Sequence, residues 1–518
     1  MKKILLVTLI GLLAIVNGMA QIPQVIAHRG FWKSEGAAQN SMAALLSAMN
    51  EQFYGVECDA QLTADSVFII YHDATVDGTP VEQLSWKTLQ NHTLANGEHI
   101  PTVKQYLADY KQNDPSRSRL YFEVKPQSQK ELRDLAIRQT IGLVKKYQLA
   151  DRVAFISFDL NVCSALAKAF PNTPVFYLGG DKSPKMLTSL GIDGIDYQHQ
   201  VLRTHPEWVR DAHQLGMKVI AWTVNDQPTT LEMMRLGVDA ITTDEPMLVQ
   251  GWVSGDPVYR VMSFNVRMSA NAAYDGDNAW PNRKDAVVRM IHTENPDMLG
   301  VQEMLPDQQQ FLRAALSATY DMVGVGRDNG TDEGECMAVF YRKDKFKLLD
   351  GKTFWLSETP DKVSMGWDAA CKRTVTVAHL QDLSNKKEFY YLNTHLDHVG
   401  KVARRESILL LKHLIDSLVP KGVPVVLGGD MNSSLSDSIF IPLIGNKGFM
   451  KSAREQTLQT DHSITFTGYD KEPHTCIDHL FVNDYFKVLT FKTLKQDYGV
   501  PFISDHYPVM IEVVGGRR

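Results

Sequence analysis

Residues 55–73 read Gly-Val-Glu-Cys-Asp-Ala-Gln-Leu-Thr-Ala-Asp-Ser-Val-Phe-Ile-Ile-Tyr-His-Asp. Two strand-like runs lie here, Gly55–Asp59 and Val67–Tyr71. Parallel strands need a crossover of a dozen or so residues, and the gap between Asp59 and Val67 is too short for one. Asp65-Ser66 has the character of a hairpin tip. The second run is therefore expected to fold back antiparallel as a flap that carries His72. Without it, the first half offers eight candidate parallel strands: Val25–Ala27, Gly55–Asp59, Leu120–Val124, Val153–Phe158, Pro174–Leu178, Gly194–Tyr197, Lys218–Val224 and Asp239–Thr243. Helix-like segments alternate with them, which predicts an α/β TIM barrel with a hairpin insertion over residues 22–250.

Chemistry collects where such a barrel places it, at the C-terminal ends of the strands. His28 ends the first strand. Glu57 and Asp59 are two residues apart and share a face of the second, as Glu123 and Lys125 do on the third. Three carboxylates at one mouth repel one another unless a cation sits among them. An all-oxygen ligand set favours Ca²⁺ or Mg²⁺. His92, His99, His199, His205 and His213 carry no such context and are read as structural.

The second half, residues 257–518, is richer in strands. Expected strands are Tyr259–Val266, Met298–Gln302, Met337–Tyr341, Val375–Leu380, Phe389–His395, Pro424–Gly428, Asp478–Val482 and Val509–Val513. Asn282–Asn295 and Val402–Leu418 show helical spacing. Two packed sheets flanked by helices fit this order. Acid, amide and imidazole side chains recur where strands end: Asn265, Glu303, His395, Asp430, Asn432 and Asp505-His506. One such residue is a turn signal; five endings of this kind point to a site. Pro246–Arg260, with Gly251, Ser254-Gly255 and Asp256-Pro257, is expected to be a short linker.

At 518 residues the chain exceeds one ordinary core. Its 44% apolar and 22% charged residues are those of a globular protein. A net charge of −6 and no basic run argue against nucleic acid as a partner. Lys2-Lys3, an apolar run from Ile4 to Val16 and Gly18-Met19-Ala20 read as a signal peptide over residues 1–20, cut before Gln21. No later stretch is long and apolar enough for a transmembrane anchor. The protein is thus expected to be exported, periplasmic or extracellular. Five cysteines without metal spacing permit a disulfide but do not predict one.

The first half resembles the glycerophosphodiester phosphodiesterase family through Ala27-His28-Arg29-Gly30, Gln39-Asn40-Ser41, Glu57-Cys58-Asp59, Tyr71-His72-Asp73, Phe122-Glu123-Val124-Lys125, Trp222-Thr223-Val224-Asn225 and Thr242-Thr243-Asp244. The resemblance implies hydrolysis of glycerophosphodiesters to glycerol phosphate and an alcohol. It makes His28 and His72 the acid/base pair, and Glu57, Asp59 and Glu123 the ligands of Ca²⁺ or Mg²⁺. Arg29 and Lys125 contact phosphate, and Trp222 lines the substrate site. Gln39 stands where the family commonly has Glu.

The second half resembles the endonuclease/exonuclease/phosphatase superfamily, which implies a four-layer α/β sandwich. Carried over, Glu303, Asn265 and Asp505 hold Mg²⁺ or Mn²⁺. Asp430 and Asn432 orient water, His395 and His506 contact the phosphate, and Asp478 orients His506. Trp280, Arg283, Arg327, Trp355, Trp367, Arg373 and His398 look like a pattern of exported bacterial members, with Trp367 and Arg373 as substrate walls. The combined expectation is an exported bifunctional phosphoesterase acting on small or phospholipid-derived esters. The alternative is a secreted nuclease with an accessory glycerophosphoryl-binding barrel.

Overall fold

The computed structural model describes residues 22–113, 118–445, 448–470 and 475–515, so the expected export segment lies outside the described residues. The chain forms two compact units. Apart from residues 33–37, which group with the second, the boundary falls between Ser254 and Gly255.

In the first unit the parallel strands are β1 (Gln24–Ala27), β2 (Gly55–Leu62), β3 (Arg119–Val124), β4 (Val153–Ser157), β5 (Val175–Tyr177), β6 (Gly194–Gln198), β7 (Lys218–Trp222) and β8 (Ala240–Thr243). Each pairs with the next, and β1 pairs with both β2 and β8, which closes the barrel. The predicted flap is present. Phe68–Ile70 runs antiparallel to β2, with Ala60 opposite Ile70. Ser66 at its tip has a positive φ of 66°, a conformation most side chains avoid. Ile26, Tyr121, Ile156, Phe176, Leu178 and Ile220 fill the barrel interior.

The expected linker is largely a helix. Pro246–Val253 is α-helical and buries Met247, Leu248, Val249, Trp252 and Val253. Pro246 starts this helix, where its fixed φ and missing N–H cost nothing. Gly251 sits inside it, and the real break comes at Gly255, with φ 76°.

The second unit holds two six-stranded mixed sheets. One orders Tyr320–Val323, Cys336–Arg342, Met298–Met304, Val258–Asn265, Val509–Gly515 and Phe486–Thr493. The other orders Phe346–Trp355, Thr374–Asp382, Glu388–His395, Val425–Asp430, Asp478–Asn483 and Met450–Ser452. Val261, Met298, Val339 and Ile511 from the first sheet pack against Ala378, Leu380, Tyr391 and Val426 from the second. The outer face of the first sheet is covered by the Trp280–Glu294 and Pro306–Leu316 helices through Val287, Ile291, Leu312 and Leu316. The Lys401–Leu418 helix covers the second through Ile408, Leu411 and Ile415. Helix, sheet, sheet, helix is the four-layer arrangement. All five cysteines are free thiols. Among the described residues no helix is long and apolar enough to cross a membrane.

Candidate active sites

The barrel mouth gathers His28, Arg29, Glu57, Asp59, His72, Glu123, Lys125 and Trp222 around one cavity of about 100 Å³. Carboxylate oxygens of Glu57, Asp59 and Glu123 lie within 4.8 Å of one another, and all three side chains are buried. Glu57 Oε1 and Glu123 Oε1 are buried without a hydrogen-bond partner. Carboxylate oxygens converging in this way, with Lys125 Nζ also 3.2 Å from Glu123 Oε1, fit a hard divalent cation. Burial first, then the neighbouring acids, raises Glu57 well above its ordinary range. Burial and Asp59 push Glu123 up to about 8. Asp59 goes the other way: burial would raise it, but Lys125 at 2.7 Å and His72 hold it low.

The ring of His28 is aimed by a residue that the sequence reading did not assign. Its Nδ1 lies 2.8 Å from Asp244 Oδ1, leaving Nε2 at 3.9 Å from Glu57 Oε2. Asp244 also accepts from Trp32 Nε1 and Asn225 Nδ2. Those bonds override its burial and hold the carboxyl well below the usual range. The available signal in the sequence is the acid that follows β8 in Thr242-Thr243-Asp244. His72 is held by its neighbour Asp73 at 2.8 Å. Burial lowers the His72 pKa despite the pull of Asp59. Gln39 accepts from Arg29 Nη1 at 2.6 Å, and Asn40 Nδ2 donates to Asp59 at 2.8 Å. The uncharged Gln39 thus buttresses Arg29 and is not one of the converging oxygens. Arg29 Nε also faces Asp59 Oδ2, at 3.7 Å.

In the sandwich the site is built along strand ends. His395, Asp430 and Asp478 form one row across three neighbouring strands, as direct register partners. Gly429 makes that row possible. Its φ is 150°, and a Cβ there would lie 1.9 Å from the Thr394 carbonyl oxygen. On the other sheet a bulge between Val301 and Met304 re-aims Glu303, whose φ is 61°. Asn432 is also left-handed, with φ 46°. Non-glycine residues rarely hold this conformation unless their surroundings impose it.

Asn265 Nδ2 lies 3.0 Å from both Glu303 Oε1 and Asp430 Oδ2. Asp430 Oδ1 accepts from the Asn432 backbone, and Asn432 Nδ2 reaches His395 Nε2 at 2.9 Å. His506 Nδ1 bonds Asp478 Oδ2 at 2.8 Å, and its Nε2 is 3.6 Å from Asp430. Against the cost of burial, Asp478 and Asp430 raise His506 to about 10. Burial lifts Asp430 to about 7 and, with Arg373 and His506 nearby, pushes His395 far down. The tight acid and imidazole groupings are Glu303–His395–Asp430 and Asp430–Asp478–His506. Asp505 belongs to neither and is held by Ser504 Oγ at 3.2 Å and Arg267 Nη1 at 3.4 Å.

A cavity of about 780 Å³ opens over this cluster. Arg373 lines it, while Trp367 does not. Arg267, Arg327, Glu335 and His398 also line it. Arg327 pairs with Glu335 at 2.7 Å, and burial raises Glu335 to about 7. Arg267, two residues beyond Asn265, was not singled out, although a cation beside a metal-type acid cluster was a readable sign. Arg283 is fully buried and donates to the carbonyls of Val266, Arg267, Asn278 and Ile503. It thereby ties the loop after Asn265 to the loop before Asp505.

Two clusters of acids and imidazoles, one in a barrel mouth and one between two sheets, define a phosphoric ester hydrolase with two phosphoesterase domains. Residues 28–248 belong to the Glycerophosphoryl diester phosphodiesterase family and residues 262–506 to the Endonuclease/Exonuclease/phosphatase family. A glycerophosphodiester phosphodiesterase of Caldanaerobacter subterraneus subsp. tengcongensis is 27% identical over 236 residues, covering 43% of this chain and 94% of its own. Among solved structures, a glycerophosphodiester phosphodiesterase from Parabacteroides distasonis is 40% identical, with a TM-score of 0.44, over 45% of this chain and 98% of its own. An endonuclease/exonuclease/phosphatase from Bacteroides vulgatus is 37% identical, with a TM-score of 0.47, over 50% of this chain and 99% of its own.

Proposed function

We propose that the barrel hydrolyses glycerophosphodiesters to glycerol phosphate and an alcohol, and that the sandwich hydrolyses a second phosphate ester, small or phospholipid-derived, in an exported chain. The observation that carries the barrel reading is the convergence of Glu57, Asp59 and Glu123 within 4.8 Å, beside a histidine locked by Asp244. Glu57, Asp59 and Glu123 would hold Ca²⁺ or Mg²⁺, and Glu303, Asn265 and Asp505 would hold Mg²⁺ or Mn²⁺. A divalent cation at either place supplies neutralisation of the charge that grows on phosphate oxygens.

In the barrel, His28 and His72 divide the proton work. One takes the proton of the glycerol hydroxyl that attacks phosphorus and the other gives a proton to the leaving alcohol oxygen, after which water opens the resulting cyclic phosphate to glycerol phosphate. Arg29 and Lys125 bind the non-bridging oxygens, and Trp222 forms a side of the cavity. In the sandwich, Asp430 and Asn432 orient the attacking water. His506, charged beside Asp478, and His395 meet the phosphate, with Arg373 on the substrate wall. The test is turnover of glycerophosphocholine and of bis-nitrophenyl phosphate by the full chain, with chelator and with each cation restored. Undiminished turnover of glycerophosphocholine in His28→Ala would overturn the barrel assignment.

A further inference from the structure

One buried acid in the barrel takes no part in the chemistry above. Asp196 lies on β6, opposite Ile220 of β7 in register, and so faces the barrel interior. It is 2% exposed, and its Oδ1 has no hydrogen-bond partner. It lines the same cavity as His28 and the three carboxylates. The same cavity is lined by apolar Ile156, Phe158, Leu178 and Trp222, together with Thr223 and Thr242. Asp196 supplies the carboxyl on that side.

An unpaired carboxyl in an apolar wall is costly, and it persists where a ligand completes it. Burial alone raises Asp196 to about 8, so the group is a neutral acid at neutral pH. A neutral carboxyl offers one donor and one acceptor, which is what a hydroxyl needs. The cavity, at about 100 Å³, holds only a few heavy atoms beyond the phosphate.

We propose that Asp196 is a specificity-determining residue that hydrogen-bonds the terminal hydroxyl of the substrate's glyceryl end, which enters the barrel while the leaving alcohol stays at the mouth. This rests on the glycerophosphodiester reading of the barrel. The apolar wall packs the carbon chain, and Asp196 reads the hydroxyl farthest from phosphorus. A site built to bond a hydroxyl strongly rejects the analogue that lacks it, because its own polar group is then left unpaired.

The test uses the full chain with glycerophosphocholine and with 2-hydroxypropyl phosphocholine, which keeps the hydroxyl next to the phosphate carbon and lacks the terminal one. The wild type should prefer the first by about a hundredfold or more in kcat/KM. Asp196→Leu should collapse that preference to within about threefold, through a higher KM for glycerophosphocholine. Asp196→Asn should retain most of it. The ratio of two substrates on one sample cancels any loss of folded enzyme. If Asp196→Leu keeps the preference, or slows both substrates by the same factor, the inference is overturned while the barrel reading stands. If the wild type turns over neither compound, the phosphodiesterase reading falls and takes the inference with it.

Discussion

The imidazole of His28 and the carboxylate of Asp244 stand 216 residues apart in sequence and 2.8 Å apart in space. They sit where the first and last strands of the barrel close on each other. The bond fixes which ring nitrogen faces the carboxylate cluster. Asp244→Asn should therefore lower glycerophosphodiester turnover by roughly ten- to hundredfold, with KM little changed. His28→Ala or His72→Ala should cost about a hundredfold or more in kcat. Steady-state kinetics on glycerophosphocholine checks all three.

The two ligand sets share no residue. Glu303→Ala should abolish sandwich activity and leave glycerophosphodiester turnover unchanged, and Glu123→Ala should do the reverse. Loss of both activities in either variant would show that the sites depend on each other.

Asp196 also makes a pH prediction. In the folded chain it keeps its proton up to about pH 8, whereas the free side chain ionises near 3.8. The unfolded state alone releases this proton between those values. The contribution of Asp196 to wild-type stability is therefore undiminished below about pH 4 and falls as pH rises towards 8. Asp196→Asn removes the ionisation. It should stabilise the barrel by up to about 4 kcal/mol at pH 7 and by almost nothing at pH 4. Thermal unfolding of both proteins across that range measures the difference, and an equal gain at both pH values would contradict it.

Arg283 joins the loops that carry Asn265 and Asp505 through four backbone carbonyls. Arg283→Met strands those acceptors in a buried place and should cost about 3 kcal/mol or more. The same variant should weaken Mg²⁺ or Mn²⁺ binding at the sandwich, read by titration calorimetry, with the barrel activity as internal control.

The sandwich should favour small phosphate esters over DNA, since clustered Lys and Arg are needed to neutralise several phosphates of a duplex. The comparison is kcat/KM on plasmid DNA against head-group and inositol phosphates at about physiological salt. Efficient, salt-resistant DNA cleavage with no activity on small esters would promote the nuclease reading.

Much of this arrangement was legible in the sequence, for identifiable reasons. The eight barrel strands are buried apolar runs, and the flap followed from a gap too short for a crossover. The unread strands of the sandwich are Tyr320–Val323, Phe346–Trp355, Met450–Ser452 and Phe486–Thr493. All four are sheet edges. Phe346–Trp355 is mostly exposed along its middle, and an edge strand carries polar and charged side chains that hide its apolar pattern. The Pro246–Val253 helix was hidden because Gly251 reads as a breaker until its neighbours are seen to be buried. Asp244 and Asp196 were missed for a different reason. Each acquires its meaning from residues distant in the chain, His28 for one and an apolar wall for the other. Trp367, expected from its motif to be a substrate wall, is not among the residues that line the sandwich cavity.

The bond between His506 and Asp478 has a use beyond chemistry. Both side chains are almost wholly shut off from solvent, and their atoms meet at 2.8 Å. A proton held between a buried imidazolium and a carboxylate is strongly deshielded and exchanges slowly with water. It should give a resolved far-downfield proton resonance in magnetic resonance spectra. That line would act as a reporter confined to one half of the molecule, shifting when a cation or phosphate enters the sandwich and staying fixed while the barrel turns over its own substrate.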